Sequence, residues 1–293
     1  MVDVILDTDI GDDIDDALAL LLALKSPELN VRAVSTVYGD VKTRAMLALR
    51  VMEEMGIRDV PVKAGTSKPL LEDRPVEKPN QAVALEGWEG KLLDRWQNDR
   101  RDVTDFIASL IEESTGETAI VSVGPLTNIA LTLTLNPWIV DKAKLVMMGG
   151  CFSRQVAEYN ISRDPEAARV VFESGIPLTM VGLDVTLKCI MNNDYVKMFK
   201  SSTLPEIRFV SKMMDAWMSY TKSINPILHD PLAVAASFTQ SFVAVKPMRI
   251  CVEVRGEYTR GFTVPVEGKP NANVCVDVKS DAFVEFFIDR VLQ

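Results

Sequence analysis

Two hydrophobic periods take turns along this chain. Val4-Ile5-Leu6 is a short apolar run of the kind a buried strand shows, and Ala17-Leu18-Ala19-Leu20-Leu21-Leu22-Ala23-Leu24 reads as a helix packed into the core. The pair then repeats: a strand over 31–37, a helix over 42–55 and a short strand over 61–64. After an interruption come a helix over 103–114, a strand over 118–123, a helix over 129–135 and a strand over 144–148. A further helix opens at Asp164-Pro165, a strand covers 177–182, and 192–223 reads as helical. Strand and helix alternating at this spacing predict right-handed βαβ units on a parallel sheet. Segments 249–254, 262–264 and 274–278 predict a small antiparallel C-terminal addition, closed by a helix over 281–291. The expected fold class is α/β, a mainly parallel central sheet flanked by helices (doubly wound, Rossmann-like), with residues 1–293 forming a single domain.

One stretch breaks the rhythm. Residues 65–101 carry Pro69, Pro75, Pro79, Gly87 and Gly90 among charges, too long for a structureless connection. A lid, an insertion with short helices, or disorder would each fit, and Trp88 and Trp96 could pack such an excursion against the body.

Chemistry concentrates where the first strand meets the first helix. Asp7-Thr8-Asp9-Ile10-Gly11-Asp12-Asp13-Ile14-Asp15-Asp16 places six carboxylates in ten residues, at the edge of an open α/β sheet where ligands bind. Helix capping and the helix dipole account for one or two of them. The rest call for a compensating cation, and hard oxygen donors suit Ca²⁺, with Mg²⁺ as the alternative. Asp40, just past the second strand, lies on the same edge and is either a helix N-cap or part of the site. Asp164 before Pro165 reads as a structural cap.

A formal charge of −9 argues against nucleic acid or an anionic membrane as partner. No apolar run approaches the roughly eighteen residues of a membrane span, and the N-terminus runs directly into a strand, so a cytoplasmic location is expected. Cys151, Cys189, Cys251 and Cys275 are widely spaced and His229 is the only histidine, which disfavours structural zinc and predicts four buried free thiols.

The motifs carry a resemblance. Asp-x-Asp-x-Gly succeeded by Asp-Asp-Ala-x-Ala resembles the N-terminal signature of the inosine–uridine preferring nucleoside hydrolases. That family usually has one residue between the Gly and the Asp pair, whereas Asp12-Asp13-Ile14 intervene here. The pair is aligned with Asp15-Asp16, because Ala17-Leu18-Ala19 then matches the family's Ala-x-Ala; Asp12 and Asp13 are the substitutes. Gly124-Pro125-Leu126-Thr127-Asn128, Glu158-Tyr159-Asn160, Gly182-Leu183-Asp184-Val185-Thr186 and His229-Asp230-Pro231-Leu232 continue the likeness in the expected order. It implies a metal held by Asp9, Asp16, Asp230 and the Thr127 carbonyl. It implies a ribose gripped by Asp15, Glu158, Asn160 and Asp40, and His229 beside the departing base. Trp217 and Tyr220, one helical turn apart upstream, are candidate pocket walls, with core packing the alternative expected for at least one of them. The loop between Gly150 and Glu158 is shorter than usual, and a second Asn that the family often supplies falls near Phe152.

The activity implied by the resemblance is hydrolysis of a ribonucleoside's N-glycosidic bond through an oxocarbenium-like state. The metal would activate water, with Asp9 as proton acceptor. The substrate would be a small-molecule nucleoside, and the assembly a homodimer or homotetramer. Two rivals remain. A haloacid-dehalogenase-type phosphohydrolase would use Asp7 as nucleophile, Asp9 as acid–base partner and Mg²⁺; it expects Thr or Val at Gly11 and gives the later motifs no role. The other is a nucleoside- or sugar-binding protein without turnover on the same scaffold.

Overall fold

Strand β1 (Val2–Thr8) is buried from Val4 onward, and parallel partners cover both of its edges: β2 (Leu29–Thr36) and β4 (Thr118–Ser122). Burial on both faces explains why its sequence is a continuous apolar run rather than an alternating one. The computed structural model describes residues 1–88, 90 and 101–293. Among these, β3 (Val62–Ala64), β5 (Ala143–Met148), β6 (Leu178–Val181), β7 (Val243–Val252), β8 (Thr263–Val266) and β9 (Ala272–Val278) complete one sheet of order β3-β2-β1-β4-β5-β6-β9-β7-β8. Strands β3 to β6 are parallel throughout, as the strand–helix rhythm predicts. The C-terminal strands are antiparallel to one another, but β9 runs parallel to β6 and so extends the main sheet.

The strand order reverses direction between β1 and β4, which opens a crevice at their carboxyl ends. Helix Asp15–Lys25 follows the acidic turn after β1 and is buried from Asp15 to Ala23, with Leu18, Leu20, Leu21 and Leu22 fully enclosed. Each such leucine contributes about 1.5–3 kcal/mol by leaving water, which anchors the acidic turn at the helix's start. The predicted helical stretch 192–223 is two helices, Asn193–Ser201 and Pro205–Thr221, the second opening with Pro at its first turn. Helix His229–Phe238 packs on helix Asp15–Lys25, bringing the only histidine to the crevice.

The excursion after β3 is ordered where described. It forms a 3-10 helix, Asn80–Leu85, that lies on the acidic turn: Gln81 N–H donates to the Gly11 carbonyl at 2.9 Å. Trp88 fastens it from behind, its indole N–H donating to Glu53 at 2.7 Å. Trp96 lies outside the described residues. Of the four free thiols, Cys151, Cys189 and Cys275 are buried; Cys251 is exposed, because it points outward from β7 between the inward-facing Ile250 and Val252. No helix among the described residues is long and apolar enough to cross a membrane.

Candidate active site

The crevice holds a cavity of about 500 Å³, lined at its floor by Asp9, Asp15, Asp16, Asp230 and Val123. Its size suits a small organic ligand. Asp15 and Asp16 stand in the first turn of their helix, and Asp230 stands in the first turn of helix His229–Phe238. Two helix starts therefore converge on one point. Ligand atoms of Asp15, Asp16 and Asp230 lie within 4.8 Å of one another, and all three residues are buried. Burial, compounded by mutual repulsion, pushes all three carboxyls well above the usual range. Burial also raises Asp9, to about 7, with Arg44 opposing that rise and Asp12 adding to it. The acidic pair that enters the cluster is thus Asp15-Asp16. Asp12 is ion-paired to Arg44 at 2.6 Å, and Asp13 accepts from the Ile14 N–H at 2.6 Å.

Close packing aims Asp9. A Cβ on Gly124 would stand 2.9 Å from Asp9 N and from Asp9 Oδ1, so only glycine lets the β4 turn lie against it. Thr127, expected to offer its carbonyl, is not among the cavity's lining residues; it starts helix Thr127–Leu135 and its hydroxyl donates to Asp164 at 2.6 Å. The part of this turn that reaches the cavity is Val123, the last residue before the glycine. Asn128 works beneath the floor, donating to Asp7 at 2.8 Å and to the Thr36 carbonyl at 3.1 Å. Asp7 itself is fully buried, accepts from Ser35, and does not line the cavity. A phosphohydrolase nucleophile would have to be reachable there, and Asp7 is not.

Glu158 and Asn160 do line the cavity. Sequence places them in a loop; instead Glu158 is the N-cap of a short helix, Tyr159–Arg163, accepting from Asn160 N and Ile161 N and also from Gly150 N at 3.0 Å. Asn160 spends its amide N–H groups on the carbonyls of Val123 (2.8 Å) and Met148 (3.2 Å), at the ends of β4 and β5. The shortened loop before them is gathered by Asp184, which accepts from Phe152 N (2.9 Å) and Ser153 N (3.0 Å). Asp40 is placed differently. It caps helix Val41–Glu54, bonding Thr43 N and Thr43 Oγ1, and it is not among the lining residues.

At the mouth stand His229, Trp217 and Tyr220. Burial pushes the His229 imidazole down to about 4, so it is neutral near pH 7. Its Nδ1 is 2.7 Å from the Thr186 hydroxyl, which can donate to it and leave the hydrogen on Nε2. Trp217 lines the cavity but is only 5% exposed, and its indole N–H is buried with no hydrogen-bond partner among the described residues. Tyr220, by contrast, is largely exposed. Sequence reasoning passed over Val123, Leu183 and Arg163 as lining residues, and Arg44 altogether.

A parallel sheet with a carboxylate-floored crevice at its switch point has the architecture of an α/β ligand site, and the comparisons say to which family it belongs. The sequence pattern of the inosine-uridine preferring nucleoside hydrolases matches residues 4–285, and the chain belongs to that family. It is 34% identical to the pyrimidine-specific ribonucleoside hydrolase RihA of Shigella boydii serotype 4 (strain Sb227), across 98% of this chain and 97% of that one. Among solved structures it is similar to the purine-preferring ribonucleoside hydrolase from Gardnerella vaginalis (TM-score 0.83, 30% identity, 99% of this chain and 98% of that one). It is also similar to a plant nucleoside hydrolase, PpNRh1 (TM-score 0.85, 27% identity, 99% of each chain). The chain is an enzyme, a hydrolase of ribonucleosides, and its buried Asp15, Asp16 and Asp230 could hold a metal ion.

Proposed function

We propose that this enzyme holds Ca²⁺ (or Mg²⁺) between Asp16 and Asp230 and cleaves ribonucleosides with the other crevice residues sharing the chemistry. The observation that carries this reading is the convergence of Asp15, Asp16 and Asp230 within 4.8 Å, buried in one cavity with Asp9. Three buried carboxylates with an all-oxygen donor set fit a hard divalent ion. Arg44, the guanidinium beside them, is already engaged by Asp12 and by backbone carbonyls. When bound, the ion would act as a Lewis acid that lowers the pKa of a water.

The remaining chemistry belongs to the chain. Asp9, raised toward neutrality, takes the proton of the attacking water. Asp15 accepts from a ribose hydroxyl, while Asn160 offers the oxygen that its own backbone contacts leave free and Glu158 fixes the helix that presents it. Carboxylates around C1′ stabilise the positive charge that grows there as the C1′–N bond breaks. The electron pair goes to the base, which neutral His229 receives with a hydrogen bond from Nε2, and the proton that Asp9 took from water returns through solvent to neutralise the departed base. Trp217 and Tyr220 wall this part of the cavity. The relatives' names span pyrimidine-specific and purine-preferring enzymes, and every base carries an acceptor for the His229 donor.

The residues of the site run from Asp9 to Asp230, which supports treating 1–293 as one working unit. A homodimer or homotetramer and a cytoplasmic setting are expected on the family likeness. The test is reducing-sugar release from inosine, adenosine, guanosine, uridine and cytidine, each with Ca²⁺ and with a chelator. Release that disappears with chelator and in Asp9→Ala supports the reading and names the base. No release from any of the five by folded, cation-loaded protein sinks it.

A further inference from the structure

We infer that Arg44 is a positioning residue for the cation centre: its guanidinium fixes the lengthened acidic turn so that Asp9 faces the cavity while Asp12 is held out of the ion's ligand set. The inference rests on the proposed cation site and adds a residue that the motifs do not contain.

Arg44 is 1% exposed, among the largest fully buried side chains of the protein. Its fork is filled. Nε donates to the Tyr38 carbonyl at 2.7 Å, Nη1 to the Asp9 carbonyl and to the Ile10 carbonyl at 3.1 Å, and Nη2 to Asp12 Oδ2 at 2.6 Å. These acceptors belong to two different turns, one leaving β1 and one leaving β2. One side chain on the neighbouring helix therefore pins the exits of adjacent strands together. Neither turn relaxes easily into this shape. Tyr38 has φ +65, a conformation that bulky residues rarely adopt and that persists where surroundings enforce it. Gly11 has φ +125, and a Cβ there would stand 2.7 Å from Pro79 Cβ and 2.8 Å from Leu47 Cδ1. From the opposite side, Asn80 Nδ2 donates to the Asp12 carbonyl at 2.9 Å and Gln81 Nε2 to the Asp13 carbonyl at 2.7 Å. The two residues by which this turn exceeds the family pattern are thus clamped between Arg44 and the Asn80–Leu85 segment.

Electrostatics alone argues against an arginine here. A buried positive charge next to Asp9 and Asp16 repels an incoming cation. Charge balance and positioning therefore predict opposite signs when the guanidinium is removed. If Arg44 only neutralises carboxylates, a neutral replacement tightens Ca²⁺ binding. If it positions Asp9, the same replacement weakens binding, although the site has become more negative. Lysine discriminates further: it keeps the charge but cannot make four directed bonds in one plane.

The experiment is calorimetric titration of CaCl₂ into the full chain, cleared of metal, for the wild type, Arg44→Met, Arg44→Lys and Asp12→Asn, with thermal unfolding recorded for each. The expected result is a Kd weakened about tenfold or more in both Arg44 variants, the range for residues that orient metal ligands. Asp12→Asn should shift Kd by less than about threefold, because Arg44 and not the ion holds that carboxylate. Unchanged or tighter binding in either folded Arg44 variant overturns the assignment, as does an Asp12→Asn loss as large as theirs. If Arg44→Met does not fold, Arg44→Lys carries the test; failure of both to fold makes Arg44 a folding residue and overturns it as well. Wild-type protein that binds no Ca²⁺ defeats the cation reading itself, an outcome distinct from all of these.

Discussion

Two Asp-Pro pairs open helices in this enzyme, and only one of them is a cap. Asp164 precedes helix Pro165–Glu173 and accepts from Ala167 N (3.0 Å), Leu70 N (2.9 Å) and the Thr127 hydroxyl (2.6 Å). Asp230 has the same neighbour, but relative to the pair its helix begins two residues earlier, at His229, with Leu228 in the cap position and no side-chain cap bond. That shift of two residues takes Asp230 out of the cap position and into the first turn, where it lines the crevice. Burial raises both groups. Around Asp164 hydrogen-bond donors oppose the rise; around Asp230 the neighbours are Asp15, Asp16 and Asp9, which add to it. A buried carboxylate surrounded by donors is a strut, and one surrounded by carboxylates is what we propose as a ligand.

The largest expected consequence is on turnover. Asp230→Ala should lower kcat/KM by about 10³-fold or more, roughly 4 kcal/mol of transition-state stabilisation. Relief of like-charge repulsion should leave the metal-free protein's melting temperature equal to the wild type's or higher. Asp164→Ala should do the reverse, with activity nearly kept in the folded fraction and stability lowered by about 2–3 kcal/mol, from a lost cap and two buried donors without an acceptor. Activity assays and urea unfolding of both variants test the contrast, and equal activity losses would erase it.

A smaller effect sharpens the same distinction. Burial and mutual repulsion favour the protonated forms of these carboxyls, so a cation that binds them should release protons. Ca²⁺ affinity therefore falls as pH falls, by up to about tenfold per pH unit for each proton displaced. Titrations in two buffers of different ionisation enthalpy read the proton count directly. A count of zero near pH 7 would mean that the carboxylates are ionised without the ion.

Much of this was legible in the sequence, for a physical reason in each case. Doubly buried strands must be apolar runs, so β1 and the helix after it announce themselves, and six aspartates between them have no structural explanation in common. The Asp15-Asp16 register was read from the family likeness, because Ala17-Leu18-Ala19 matches the family's Ala-x-Ala. Other features depend on one residue of phase or on distant partners. The Gly124-Pro125-Leu126-Thr127-Asn128 turn was visible, but which of its residues faces the cavity is a matter of orientation, and Val123 lines it where Thr127 was expected. Glu158 looked like loop because its helix is only five residues long. Arg44 gave one signal that went unused. It falls on the same helical face as Leu47, Ala48 and Val51, all buried, and a charge on that face needs acceptors from somewhere else in the chain.

Asp40 gives the finest test of the strut-or-ligand rule, because sequence position left its two roles equally open. Its carboxylate meets Thr43 N at 3.1 Å and Thr43 Oγ1 at 2.6 Å, and that cap lowers its pKa against the effect of burial. It therefore belongs with Asp164, although it sits on the crevice edge of the sheet. Asp40→Ala should destabilise the protein by about 1 kcal/mol, the usual value of a lost N-cap. Asp40→Ser, which can still accept from Thr43 N, should recover most of that. Neither change should move KM for the nucleoside by more than about twofold, since a lost hydrogen bond to a sugar hydroxyl would be worth roughly 0.5–1.5 kcal/mol. A KM raised tenfold in the alanine variant at unchanged stability would return Asp40 to the sugar and break the rule where it is weakest.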